Sequence, residues 1–158
     1  MSHVLAVDLG STGIKVAVVD GFAKVRAVAG EVIPLLFTDD GGVEQDPRVW
    51  WDALGRCARR AIAESGLPGD DVRIIAVTSQ YTSTTAVDAH GNPLGNTVMW
   101  MDGRGRRHFK PKFTPEQTAR WIDVHGLMPY GNDDVGHTHV IRHKWPDAYR
   151  DAFAFVEP

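Results

Sequence analysis

Residues 3–9, 13–20 and 24–36 are dense in Val and Ala and read as three successive strands. Gly21 and Gly30 punctuate them, and the short turns imply an antiparallel meander. Arg26 and Glu31 give the third run, KVRAVAGEVIP, one exposed face. The polar stretch 38–45, TDDGGVEQ, reads as a loop. The period then changes. Trp50, Leu54, Cys57, Ala58, Ala61 and Ile62 recur at helical spacing, behind Asp46 as N-cap and Pro47 in the first helical position. Gly66 and Pro68 end that helix. VRIIAVTS, residues 72–79, has the continuous apolar character of a buried strand. Residues 84–88 form another strand, HGNP at 90–93 a turn, and 96–101 a short strand.

Three strands, a helix and a further strand predict a mixed α/β protein with a partly antiparallel sheet. Beyond Asp102 the pattern is helices and loops. Thr114, Pro115 and Gln117 form a capping-box start for a helix running to about His125, with Gly126 as its stop. A second helical stretch spans about 138–146 and ends at Pro146. FAFVEP reads as a last strand with nothing beyond it to pair with, so the chain reads as cut rather than finished. The expected division is 1–102 as core sheet and helix, and 103–158 as a helical and loop insertion with the start of the next strand.

Length and composition narrow the classes. A chain of 158 residues can bury a real core, and 43% apolar with 23% charged residues is ordinary for a soluble globular protein. The net charge of −3 argues against a nucleic-acid partner or an anionic membrane surface, which call for a basic stripe. The basic cluster Arg104, Arg106, Arg107, Lys110 and Lys112 reads as a solvated helix face or loop. A single cysteine, Cys57, rules out an internal disulfide and suits a reducing cytoplasm; on the apolar side of its helix it reads as a buried, inert thiol. MSHVLAVDLG enters a strand directly rather than forming a secretory signal, and the apolar runs are too short to span a bilayer.

The richest chemistry lies in AVDLGSTGIKVAVVD, residues 6–20. An apolar run ends in Asp8, a Gly/Ser/Thr turn follows, and a second apolar run carries Lys15 and ends in Asp20. Gly10 and Gly13 let the turn tighten and bring backbone close to a ligand. Backbone N–H groups with the Ser11 and Thr12 hydroxyls form a concave donor surface suited to phosphate oxygens, and Lys15 adds a point charge. Asp8 can hold a hydrated magnesium ion, which keeps its waters and takes one or two carboxylates. The turn joins two strands, unlike GxxxxGK[ST] or GxGxxG, which open helices. Taken alone, such a D-x-G turn reads first as a hairpin with a polar tip. His137, His139 and His143 form H-x-H-x3-H, whose spacing can bring two rings to one metal; without a matching ligand set they read as solvent-exposed. Asp133 and Asp134 read as loop residues.

Four ordered stretches resemble the N-terminal part of the FGGY family of carbohydrate kinases, within the sugar kinase/actin/Hsp70 superfamily: DLGSTGIK, GGVEQDPRVWWDAL, IIAVTSQYTSTTAVDAHGNPL and TVMWMDGR. TPEQTARWIDVHGLMP and VIRHKWPDAYRDAFAFVEP resemble the helices that follow in that family. The resemblance covers almost the whole chain. It implies a ribonuclease H-like (actin-like ATPase) fold, here incomplete, with ATP and Mg2+ as cofactors and a sugar or polyol as partner. It makes Asp8 the magnesium-positioning residue and places Gly10, Ser11, Thr12, Gly13 and Lys15 at the ATP phosphates. It places Gln80, Tyr81, Thr82, Trp100, Asp102 and Arg104 at the sugar. Gln80 would orient the loop after its strand, Tyr81 and Thr82 would contact hydroxyls, and Trp100 would wall the pocket. Asp102 and Arg104 would hydrogen-bond sugar hydroxyls or shape the pocket. Against each stands a plainer reading: Trp100 as core, Tyr81 and Thr82 as an ordinary loop, and Glu44, Gln45 and Asp46 as cap and loop residues.

The chain departs from the family in two places. Xylulokinase-like members carry Gln-Met-His-Gly where this chain has Gln80-Tyr81-Thr82-Ser83, and glycerol kinases carry an Arg-Glu pair there. The family's catalytic Asp and its adenine-binding domain lie downstream, so the resemblance assigns no catalytic base here. It implies phosphoryl transfer from ATP to a pentulose or similar polyol by a longer, cytoplasmic enzyme, with this piece inactive alone. The alternative is a non-catalytic nucleotide- or sugar-binding module. The uncovered sheet edge and apolar faces of an incomplete domain also imply a possible homodimer.

Overall fold

The structure is a computed structural model that describes residues 3–108, 113–128 and 130–158. In chain order its elements are β1 (His3–Gly10), β2 (Gly13–Val19), β3 (Val25–Val32), β4 (Leu36–Phe37), β5 (Val43–Gln45), α1 (Pro47–Ser65), β6 (Val72–Ser79), β7 (Thr85–Val87), β8 (Thr97–Val98), α2 (Gly105–His108), α3 (Pro115–His125), α4 (Asp134–Lys144), α5 (Pro146–Asp151) and β9 (Ala154–Val156). The chain divides into two compact units. The first comprises Met1–Leu35 and Asp46–Gln80, the second Leu36–Gln45 and Tyr81–Pro158.

The first unit is a four-stranded sheet in the order β3-β2-β1-β6. β1, β2 and β3 form the expected antiparallel meander, and β6 runs parallel to β1. The register sets Leu5 opposite Val18 and Val7 opposite Val16, which gathers apolar side chains on one face. α1 packs on β2 and β3 and buries Trp50, Ala53, Cys57 and Ala61. Leu5, Val7, Val16 and Val18, buried on that face, contribute about 1.5–3 kcal/mol each. The helix starts and stops as its sequence demands: the Asp46 carboxylate accepts from the Arg48 N–H at 2.9 Å, and Gly66 takes φ 69° at the C-terminus.

Cys57 has no exposed surface, and burial pushes its thiol above the usual value. A thiol reagent is therefore expected to label native protein only as fast as the first unit opens, and to titrate one thiol at once in denaturant. Rapid labelling without denaturant would contradict this packing.

Three strand expectations need correction. The third strand ends at Val32 rather than 36, just before Pro34, which has no N–H to give a ladder. Val43–Gln45 is a strand rather than a loop, and all three residues are buried. Its polar side chains find partners inside the second unit, which composition alone does not reveal. β6 is apolar but not buried. It is the edge of its sheet, α1 packs on β2 and β3, and Ile75 and Val77 stay 67% and 61% exposed.

The second unit contains a β4-β5-β8 sheet and a β7-β9 pair. FAFVEP therefore does have a partner: Ala154–Val156 pairs antiparallel with Thr85–Val87. Ala86, Val98, Val140 and Ile141 form the buried cluster, with Leu94, Trp145, Tyr149 and Ala152 packed against it. α3 carries the expected capping box at Thr114 and Gln117. α4 begins earlier than 138, at Asp134, because Asp133 caps it by accepting from the Gly136 N–H at 2.9 Å. These two acids are thus helix-start residues rather than loop residues. No helix among the described residues is long and apolar enough to cross a membrane.

Candidate functional site

Two places carry chemistry, one in each unit. In the first, β1 and β2 close on the pair Gly10 and Gly13, with Ser11 and Thr12 at the tip. The Thr12 carbonyl accepts from the Ile33 N–H at 3.1 Å, and the Leu9 carbonyl accepts from the Gln80 N–H at 2.9 Å. These bonds hold the tip from both flanking strands. Gly13 is required for room: a Cβ there would lie 2.6 Å from the Glu31 carbonyl oxygen. Gly10, Thr12, Gly13 and Lys15 line one concavity of about 300 Å3, together with Gly30, Glu31 and Val32. Glu31 is bound by Arg56, whose Nε lies 3.1 Å away.

Asp8 lies opposite Lys15 in the ladder, with its carboxylate 3.8 Å from the ammonium and 47% of its side chain exposed. Neither Asp8 nor Ser11 lines that concavity. A single open carboxylate fits magnesium held through water, with ligand oxygens completing the shell. Among the described residues there is no cluster of three or more metal-ligating side chains, so the ion would depend on water and phosphate. Gln80 closes β6, and its Oε1 is buried without a hydrogen-bond partner.

In the second unit, Tyr81, Thr82 and Trp100 come together in a cleft of about 380 Å3. Trp121, Tyr130, Asp133 and Asp134 line it too, and sequence reading did not assign them to a site. The signal for the two acids is Asp directly before a helical run, the mark of an N-cap. No local signal brings Trp121 or Tyr130 to this place. Trp100 is 46% exposed, so it is wall rather than core, and its backbone N–H donates to the Ser83 hydroxyl at 3.1 Å. Thr82 holds the left-handed conformation with φ 54°, which costs a non-glycine residue about 1–3 kcal/mol. Its N–H donates to Glu157 Oε2 at 3.2 Å, one of the contacts that fix it.

Asp102 and Arg104 do not line the cleft. They are 0% and 4% exposed and form the centre of a buried ion network. The guanidinium donates to Asp102 Oδ2 at 2.6 Å and to Glu44 Oε1 at 2.8 Å. Asp40 accepts from Arg104 at 3.3 Å and also pairs with Lys144. The Asp102 Oδ2 atom accepts the Val43 N–H at 3.0 Å, which ties β5 into the network. Burial pulls the guanidinium's pKa down, but the Asp102 and Glu44 hydrogen bonds and charges outweigh it and raise it. Hydrogen bonds from Lys144 and Thr38 hold the Asp40 carboxyl well below the usual carboxylate range. Arg104 was expected with the solvated basic residues, and that expectation fails for it. Arg106 and Arg107 are exposed, while Lys110 and Lys112 lie outside the described residues.

His137 is also a correction, because it is wholly buried. The Thr84 hydroxyl donates to Asp134 Oδ1 at 2.9 Å and lies 3.2 Å from His137 Nδ1. With its one proton given to Asp134, the hydroxyl accepts from Nδ1–H, which sets the tautomer. Burial lowers the imidazole pKa against the upward pull of Asp102, Asp134 and Asp133. His139 and His143 stack on each other, 6.5 Å apart, rather than joining His137.

Residues 3–111 match the N-terminal domain of the FGGY family of carbohydrate kinases. The chain belongs to this family. A glycerol kinase from Methylibium petroleiphilum is 33% identical over 137 residues, covering 86% of this chain and 26% of the relative. Among solved structures, a xylulose kinase from Rhodospirillum rubrum superposes with a TM-score of 0.83 at 20% identity, covering 97% of this chain and 31% of that one. A Plasmodium falciparum glycerol kinase with ADP gives a TM-score of 0.82 at 17% identity, covering 99% of this chain and 32% of that one. The FGGY chain thus has the expected sugar-kinase, actin-like ATPase fold. It spans about a quarter of the length of the curated relative.

Proposed function

We propose that this FGGY chain supplies the phosphate turn and the acceptor cleft of an ATP-dependent carbohydrate kinase. The reaction would move the γ-phosphoryl group of ATP to a hydroxyl of a pentulose or similar polyol. What carries this reading is the turn itself: a family-matched DLGSTGIK whose Gly10, Thr12, Gly13 and Lys15 share one concavity beside an open Asp8. Backbone N–H groups and hydroxyls there suit phosphate oxygens, and Lys15 offsets their charge. Asp8 would position magnesium, which neutralises charge on the transferring group when bound.

In the second unit, Trp100 and Tyr81 offer ring faces to sugar C–H groups, with hydroxyl partners at Thr82, Asp133 and Asp134. Asp102 and Arg104 would act on the cleft from behind, by fixing β5 and the segment after Trp100. The base that accepts the hydroxyl proton belongs to a part of the family's fold absent from this chain, so the chain alone would not turn over. The complete enzyme would work where ATP is at hand, in the cytoplasm.

ADP release with Mg·ATP and a panel of pentuloses, glycerol and hexoses tests this. The complete reading frame is expected to show turnover dependent on one acceptor class, cut at least ~100-fold in kcat/KM by Asp8→Ala. Acceptor-dependent turnover by the 158-residue chain itself would overturn the inactive-piece reading.

A further inference from the structure

The cleft of the second unit has an unusual charge balance. Its lining includes the rings of Tyr81, Trp100, Trp121 and Tyr130 and the carboxyls of Asp133 and Asp134; among the described residues it also holds His125 but no lysine or arginine. The buried cation of this unit, Arg104, is already committed to Asp102 and Glu44. Among the described residues neither Asp133 nor Asp134 forms a salt bridge. Helix capping accounts for Asp133, whose Oδ1 holds the Gly136 N–H. It does not account for Asp134. That carboxyl is gripped by the Thr84 hydroxyl, backed by buried His137, and set against a second acid, Glu157.

The contact between the two acids is informative. A hydrogen bond that the Glu157 acid proton can donate to Asp134, followed by partial burial, raises the Glu157 carboxyl above its usual range, against the Thr82 N–H that lowers it. Two acids are therefore kept together, with His137 behind them and, among the described residues, no lysine or arginine paired to either. Such an arrangement stabilises an incoming cation and repels an anion. The aromatic faces act in the same direction, since a cation is drawn to the face of a Trp or Tyr ring.

We propose that Asp134 sets the charge specificity of this cleft: it takes an amino-polyol ahead of the neutral polyol of the same length and refuses the corresponding sugar acid. The inference rests on the reading of the cleft as the polyol site. Asp134 is the residue that would meet the ligand's ammonium, with Glu157, Thr84 and His137 as positioning residues behind it.

The test uses three probes with one carbon skeleton, D-glucamine, D-sorbitol and D-gluconate, which are cationic, neutral and anionic at pH 7. Each is titrated into the chain at low salt while the indole N–H signals of Trp100 and Trp121 are followed by NMR. Glucamine is expected to bind about tenfold tighter than sorbitol, and gluconate at least about tenfold weaker. Asp134→Asn, which keeps an acceptor for Thr84, is expected to compress the three affinities to within about twofold of one another. Should that variant not fold, the wild-type chain at about 0.5 M salt replaces it, where screening is expected to narrow the spread.

Gluconate binding as well as sorbitol, or a spread unaffected by both Asp134→Asn and salt, would overturn the charge assignment and leave the polyol cleft standing. If none of the three probes moves either indole signal, the cleft reading falls and takes the specificity assignment with it.

Discussion

Replacing Arg104 by alanine is expected to cost the second unit about 3–5 kcal/mol, enough to unfold much of the population of a marginally stable module. The size follows from what remains. Asp102 and Glu44, 0% and 4% exposed, would lose the guanidinium that sits 2.6 and 2.8 Å from their oxygens. An uncompensated buried carboxylate is far costlier than the modest net worth of an intact pair. The loss is expected to spread to β5, because Asp102 also holds the Val43 N–H, and to Trp145, whose ring lies 5.7 Å from the guanidinium carbon. Arg104→Lys keeps the charge but loses the fork that serves several oxygens at once, so it should recover part of the stability. Urea unfolding monitored through tryptophan fluorescence decides it. A midpoint within error of wild type for Arg104→Ala would show that the network carries little of the fold.

The second large effect is expected at Gly136. In an ordinary helix, Gly→Ala gains about 1 kcal/mol through propensity. Here the added methyl would land on the backbone of Gly131, meeting its carbonyl oxygen, carbonyl carbon and Cα. Backbone cannot rotate away as a side chain can, and Gly131 is itself held at φ 77°. Overpacking of this kind costs about 1–3 kcal/mol, occasionally more, and outweighs the propensity gain. The displacement would fall on Asn132, Asp133 and Asp134, which line the cleft, so ligand affinity should drop along with stability. Gly55→Ala on α1 is the matched control. Its methyl meets only the far end of the Arg59 side chain at 3.4 Å, so it should stabilise by up to about 1 kcal/mol. Thermal unfolding of the two variants side by side separates the effects; equal shifts in one direction would refute the steric argument.

The contrast between these sites explains what could be read from the chain alone. Local signals were legible. Asp46, Pro47 and Gly66 bracket α1, Thr114 and Gln117 cap α3, and alternating Val and Ala set out the meander. The turn between β1 and β2 was legible because its residues are contiguous: Asp8 to Lys15 is one hairpin. The rest depends on distant pairs. Glu44 is buried because Arg104 lies within reach, 60 residues later. His137 is buried because Thr84 and its neighbours enclose it, 53 residues away. The exposure of β6 follows from its place at the edge of the sheet and from where α1 packs, neither of which its own eight residues record. Trp121 and Tyr130 reach the cleft only through the fold of the second unit.

The chain passes between its two units three times, after residues 35, 45 and 80, and this has a bearing on biosynthesis. Glu44 leaves the ribosome 60 residues ahead of the arginine that neutralises it, a delay of about 3–12 s at ordinary elongation rates of roughly 5–20 residues per second. β5 waits for β8 through most of that interval, because Thr97 and Val98 emerge shortly before Arg104, while the residues of the first unit, ending at Gln80, are synthesised earlier. The nascent polypeptide therefore finishes its first unit first and carries residues 36–45 as an open loop until their partners emerge. A translational pause between residues 80 and 104 would prolong the exposure of that loop to proteases and chaperones.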